Sequence, residues 1–502
     1  MVKESLEIKN GVCIPRSAIP HLPAQRFFET LAAVCSRKGK IVQYFAYEES
    51  GCCRLLAVLR TDRLIVLECD APGEFPSLTR HDAKFNLFER EIAEQFGIVP
   101  VGHPWLKSVR FHKNDAGKPD VFDQNYQADI PGNYPYYSIQ GDNIHEVGVG
   151  PVHAGVIEPG HFRFSCIGER VLHLEIQLGY QHRGVEQLLL QTPAKRWPII
   201  IEGIAGDSAM ANSICFSRAV EALMAIEPDR GRQQAKCLAL ELERLCNHIG
   251  DLGALSGDVA FLPPASYFGR IRGEFLNMLL LLSGNRFGKG LIRPGSILSG
   301  GLREKLGAIQ KKCDGLKKEI QHISELLFNA ASVLSRFEET GVVSRQCAGE
   351  LGLVGVAGRA SGLNYDVRAA FPTGYYESHP IEPQVQSAGD VYARARVRLE
   401  EIMQSLDMIA AMEPDALSGQ RKPAVLDGLL PSSFVVALTE GWRGELAHCV
   451  LTDETGKLVR YKVKDPSFHN WSGLAQALRG EEISDFPLCN KSFNLSYCGF
   501  DL

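Results

Sequence analysis

The chain has fourteen cysteines, but no two of them stand in a Cys-x-x-Cys spacing. Structural zinc sites and most iron–sulfur clusters use that spacing, so neither is expected to be held here. Adjacent Cys52 and Cys53 would point to opposite faces of a strand, which excludes shared ligation. No glycine pattern of the dinucleotide- or nucleotide-binding kind is present. No apolar run reaches the roughly 18 residues that a membrane span needs. The first residues, Met1-Val-Lys-Glu-Ser, lack the apolar core of an export signal. Reduced thiols and a soluble chain that meets a membrane only through partners are therefore expected. The net charge of -5 is spread along the sequence, which argues against nucleic acid as a partner.

With 502 residues, 45% of them hydrophobic, the chain is too long for one core and is expected to form two or three domains. Residues 1–112 read as a small α+β unit, with a helix over 24–36 and strands over 41–47, 55–59 and 64–67. Residues 113–147, rich in Tyr, Pro, Gly and Asn, read as a linker. Residues 148–502 are expected to be mostly helical, with a small β portion near each end. Within them, Leu238, Leu242, Leu245, Ile249 and Leu252 predict an amphipathic helix over 235–255. A second helical pattern over 304–339 is expected to break at Gly307 and Gly315 and to present a solvated charged face.

One stretch organises the rest: Ile201-Glu-Gly-Ile-Ala205-Gly-Asp207-Ser208-Ala-Met-Ala-Asn212-Ser-Ile-Cys215. Gly203 and Gly206 permit a sharp turn, and Asp207 or Ser208 can cap the helix that follows. Together with the tail Asn494-Leu-Ser496-Tyr-Cys498-Gly499, this stretch resembles the catalytic subunit of the group 4 [NiFe]-hydrogenases, the formate hydrogenlyase type. It also resembles the quinone-site subunit of respiratory complex I. Hydrogenases place a C-G-I-C-x-x-x-H element at this helix start; here Ala205 and Ser208 stand for its cysteines and Asn212 for its histidine. Ser496 and Gly499 stand for the second cysteine pair, near the C-terminus. Soft thiolates make a Ni–Fe centre possible, so the resemblance implies a hydrogenase fold without its metal. Cys215 and Cys498 are out of register and read as structural thiols. The chain also ends where mature hydrogenase subunits end, so no maturation cleavage is expected.

Other elements follow in the family's order. Phe88-Glu89-Arg90-Glu91 with Gly102-His103-Pro104 resembles a complex I 30-kDa-type element suited to docking; its individual glutamates read as a solvated face. Gly150-Pro151-Val-His153 resembles the strand and loop beside the reaction cavity. His153 is either a cofactor-contacting residue or a structural histidine held by backbone. Complex I's quinone-contacting histidine and tyrosine fall at Ile157 and Gly206, and its cluster-facing histidine at Gly288. In Gly179-Tyr-Gln-His-Arg183-Gly-Val-Glu186, the resemblance implies a proton route through Glu186. The alternative is an Arg183–Glu186 pair at a helix start. Glu243-Arg244-x-x-Asn247-His248 resembles the family's E-R-x-x-x-H helix, with His248 a core residue bonded to a neighbour. Glu440-Gly-Trp442-Arg443-Gly-Glu445 resembles E-x-P-R-G-E, whose arginine overhangs the metal in hydrogenases.

The resemblance implies an α+β chain: a 30-kDa-like domain fused to a helical, 49-kDa-like domain. It further implies a subunit of a membrane-associated oxidoreductase, peripheral on the cytoplasmic face, and not a free-standing enzyme. The expected partners are a small subunit holding a [4Fe-4S] cluster and antiporter-like membrane subunits, with a quinone-like acceptor in the cavity. Arg443, Glu186, Arg183 and Asp207 are the expected catalytic residues. Asp207 is either a new acid at the vacated site or a simple N-cap. An active [NiFe]-hydrogenase subunit and a non-catalytic assembly scaffold remain as alternative functions.

Overall fold

A computed structural model describes residues 5–37, 39–112, 121–122, 135–153, 158–414, 417, 423–426 and 428–502. Its first unit is an antiparallel sheet in the order Leu6–Ile8, Leu64–Asp70, Cys52–Arg60, Lys40–Glu49. These strands are rich in Val, Ile, Leu, Tyr and Phe, which suits a pleated surface with covered faces. The helix Ala24–Ser36 packs Phe27, Leu31 and Val34 into the same core as Tyr44, Leu55 and Leu67.

The helix Asn86–Phe96 departs from expectation. Its charged face is buried, not solvated: Glu89, Arg90, Glu91, Glu94 and Gln95 are all covered. Each finds a partner that the local sequence does not contain. Glu89 accepts from Ser77 Oγ at 2.5 Å and Leu78 N at 2.7 Å; Glu94 accepts from Val109 N at 3.2 Å. Glu91 pairs with Arg110 and, at 2.6 Å, with Lys462 of the C-terminal sheet. This helix is the seam between the two units.

The second unit begins with a sheet centred on His161–Ile167, flanked by Ile144–Val149 and Arg170–Gln177. Its first strand starts inside the expected linker, of which residues 113–120 and 123–134 lie outside the described residues. A second sheet runs Leu458–Lys464, Gly444–Thr452, Ser433–Gly441 and then Ile14–Pro15, so the N-terminal segment completes a C-terminal sheet. The helix Arg230–Asp258 is longer than expected; the predicted apolar face is buried, and so are most of its charged residues. Helices Leu262–Ser283, Val391–Ala410 and Ala209–Leu223 all pack on it, so it has no solvent face to spare. The helix Leu302–Phe328 runs unbroken through Gly307 and Gly315. Each exposed glycine costs about 1 kcal/mol in a helix interior, less than the opposite face recovers by burying Leu306, Ile309, Leu316 and Ile320.

Candidate functional site

The site forms where the helix Ala209–Leu223 starts. Its N-cap residue is Ser208, whose side chain makes no capping bond. Glu243 of the long helix instead accepts from Met210 N at 2.6 Å and Ala211 N at 3.0 Å. Burial pushes this carboxyl up to about 8 against the pull of those two donors. The Asp207 carbonyl accepts from Asn247 Nδ2 and from Trp442 Nε1, both at 2.9 Å. With its backbone held from two sides, Asp207 turns its side chain towards Arg443.

The contact is a two-pronged ion pair, Arg443 Nη1 to Asp207 Oδ1 at 2.8 Å and Nη2 to Oδ2 at 2.7 Å. Arg443 also donates to Ser208 Oγ at 3.3 Å and, through Nε, to Asn494 O at 2.5 Å. Its guanidinium stacks 3.9 Å from the centre of the Trp442 ring. Burial alone would raise the Asp207 carboxyl, but the charge and hydrogen bonds of Arg443 overcome that and hold it below its ordinary value. Asp207 is therefore a counter-ion, not an N-cap. The fork of Arg443 is committed to protein acceptors, so it can take an outside anion only if Asp207 leaves. Some 36% of the Asp207 side chain is exposed but only 6% of Arg443, so the carboxylate half of the pair reaches an opening while the guanidinium is buried behind it.

The second half of the site is the tail. Ser496 Oγ accepts from Gly499 N at 2.9 Å and caps the last helix, Tyr497–Asp501. A β-carbon placed on Gly499 would lie 2.6 Å from Asp465 Oδ2 and 2.7 Å from Ser496 Oγ. A cysteine there has no room while Asp465 keeps its place. Cys498 Sγ lies 3.6 Å from Ser496 Oγ, and Cys215 Sγ bonds to Ala437 O at 3.0 Å. Burial pushes both thiols up to about 12, so neither offers a thiolate. Among the described residues, no three His, Cys, Asp or Glu side chains converge to hold a metal ion. Ala205, Ser208, Ser496 and Gly499, the positions that the resemblance aligns with the four cysteines, carry no thiol.

Glu186 is not paired with Arg183. It bonds to Lys462 Nζ at 2.9 Å, Arg460 Nη2 at 3.0 Å and Val463 N at 3.0 Å. Burial opposes its ionisation, but Lys462 and Arg460 outweigh burial and leave the carboxyl at about 2. The lifted proton affinity that a relay needs is absent. Arg183 instead ties the two halves of the site together, donating to Gly203 O, to Ile204 O at 2.8 Å and to Cys498 O at 3.0 Å. His153 Nε2 is 3.0 Å from Gly160 O, a backbone contact. His248 meets Glu401 at 2.9 Å inside the core. Ile157 lies outside the described residues. Cavities of about 450 Å³, beside Arg90 and His173, and about 820 Å³, beside Tyr267 and Leu326, lie elsewhere on the chain.

This geometry can be set against known proteins. Residues 22–126 match the respiratory-chain NADH dehydrogenase 30 Kd subunit family, and residues 258–425 and 424–501 match the 49 Kd subunit family. An NADH-quinone oxidoreductase subunit of Herpetosiphon aurantiacus is 30% identical over 347 residues, covering 68% of this chain and 94% of that one. The chain belongs to the complex I 49-kDa family. A 30-kDa-type domain is fused ahead of it. Formate hydrogenlyase subunit 5 of Escherichia coli is similar across the fusion, 28% identical over 86% of this chain and 78% of its own length. A chain of the membrane-bound sulfane sulfur reductase, an archaeal respiratory membrane complex, shares the fold with a TM-score of 0.65 and 25% identity. It covers 73% of this chain and 100% of its own. Among the described residues no helix is long and apolar enough to cross a membrane.

Asp465 and the cations of Leu458–Lys464 are site residues that the sequence did not announce, and Glu243, read there only as part of a helix motif, holds the start of the helix Ala209–Leu223. A signal for the cations existed: Arg460, Lys462 and Lys464 alternate along one strand, and an alternation of charge usually marks a solvent face. Here that face is buried against Glu186, Glu91 and Glu445.

Proposed function

We propose that this chain is the hydrogenase-type subunit of a membrane-associated complex I-like oxidoreductase, and that it works without a Ni–Fe centre of its own. In this reading electrons pass from a [4Fe-4S] cluster in a small partner protein to an acceptor lodged against the Asp207–Arg443 turn, and antiporter-like membrane subunits complete the assembly. The supporting observation is the refilled ligand shell. Asp207 supplies Arg443 with a carboxylate partner, and Asp465 presses on Gly499 where a cysteine would stand. Each vacated half of the site is thus filled by a carboxylate from this chain.

The chain's part in the chemistry is then positional. Arg183 locks the turn to the tail, Trp442 and Asn247 fix the Asp207 backbone, and Arg443 holds a buried cation behind the partly exposed Asp207 carboxylate. An acceptor with a polarisable carbonyl or an anionic end, such as a quinone, would compete with Asp207 for that cation. Sulfane sulfur is a second acceptor class worth assaying, since a structure of the same fold belongs to a sulfane sulfur reductase. The test uses the purified whole complex, pre-reduced, and offers a soluble quinone, polysulfide or protons. Oxidation by quinone or polysulfide without hydrogen formation supports the proposal; hydrogen formation overturns it. One observation favours a scaffold as the second reading, the commitment of Arg443 to Asp207. Under that reading, Arg443→Gln leaves acceptor turnover unchanged.

A further inference from the structure

Behind the Arg443 turn the same strand buries a second set of charges. Glu440 Oε1 accepts from Arg359 Nη1 at 2.7 Å, and its other oxygen accepts from Val367 N at 3.0 Å. Arg359 also holds Glu401 at 2.5 Å and stands 3.5 Å from Asp366. Arg368 pairs with Asp366 at 2.7 Å and Glu241 at 3.1 Å; Arg244 pairs with Glu241 at 3.1 Å and Glu401 at 3.3 Å. Four carboxylates therefore share three guanidiniums, and none of these seven side chains is more than 2% exposed.

An unmatched buried carboxylate is costly, and binding a proton removes the cost. Where that proton resides follows from the pairing. Glu241, Asp366 and Glu401 each meet two arginines, whereas among the described residues Glu440 pairs only with Arg359. His248, the imidazole against Glu401, is held below its ordinary value by burial and does not compete. Burial, aided by the nearby Asp366 and opposed by Arg359, pushes the Glu440 carboxyl up to about 7.

Glu440 also lines a cavity of about 20 Å³ with Thr439, Arg218, Lys236, Arg368 and Tyr376. That is space for about one water molecule between polar groups. The other cations of this cavity are engaged: Lys236 pairs with Glu221 at 2.7 Å, and Arg218 donates to Leu438 O and, at 3.3 Å, to Thr439 Oγ1. Gln233, Phe371 and Thr373, each partly exposed, line the same cavity.

We propose that Glu440 is a proton-exchange residue, binding one proton from solvent and returning it through this cavity. Its role in coupling rests on the function proposed above: an electron reaching an acceptor at Arg443 adds negative charge close by, and a proton drawn onto the Glu440 carboxylate offsets it. Proton uptake itself requires no electron donor.

The test is infrared difference spectroscopy of the purified complex, titrated from about pH 6 to 8 with no reductant present. A protonated-carboxyl band that shifts in D₂O, fades with a midpoint near 7 and is missing in Glu440→Gln is the expected result. Glu440→Asp should keep such a band but move its midpoint, which preserves the test if the glutamine variant does not fold. Absence of any band titrating in this range, or its survival in Glu440→Gln, overturns the proposal. A titrating Glu440 in a complex that reduces no acceptor would leave the proton site standing and remove only its redox role.

Discussion

Replacing Glu186 by Gln separates a structural anion from a proton carrier. Glu186 is buried between Lys462 at 2.9 Å and Arg460 at 3.0 Å, and its carboxyl sits at about 2 rather than 4.5. At about 1.4 kcal/mol per pH unit, that displacement is worth ~3 kcal/mol of native stability at neutral pH. Breaking one partner of a buried ion pair independently suggests about 3–5 kcal/mol. The sign follows from the direction. A carboxyl with a depressed native value contributes fully above pH 4.5 and loses its contribution as the pH falls towards 2. Urea unfolding of the two proteins should therefore differ by ~3 kcal/mol at pH 7, with the gap shrinking below about 4.5 and closing at the acid end. Equal stability at pH 7 accompanied by lost proton-coupled turnover would refute this reasoning and restore Glu186 as a relay.

Two further substitutions probe the refilled site. Gly499→Cys should destabilise the chain by about 1–3 kcal/mol through crowding against Asp465 and Ser496, and Asp465→Ala in the same chain should recover only the part due to Asp465, read as paired thermal melts. Asp207→Asn removes the charge facing Arg443, so sulfate or phosphate should raise the melting temperature of this variant more than that of the parent; equal shifts would mean Arg443 is not released.

Much of the architecture could be read from local pattern. The helix Ala24–Ser36 and the strands around Tyr44, Leu56 and Val66 follow from spacing of apolar residues alone, because each needs only neighbours in sequence to declare its face. The positions Ala205, Ser208, Ser496 and Gly499 came instead from the family resemblance, which local spacing alone does not supply. What escaped was every feature made by distant partners. Glu89, Glu91 and Glu94 look like a solvated stripe until Ser77, Lys462 and Val109 arrive to meet them. Asp465 sits far along the chain from Gly499 and has no local signature at all. Asp207 could be read as an acid or a cap, and only the approach of Arg443 from the turn between two distant strands decides for an ion pair. Charge on an element says little about exposure when the counter-charges come from elsewhere in the fold.

Elemental analysis of the purified complex, scaled to this subunit, tests the central claim most directly. With Asp207 bound to Arg443 and Asp465 against Gly499, nickel should be far below one atom per chain, while iron should match the clusters of the partner subunits alone. One nickel per chain, retained after chelation and exchange, would contradict the account.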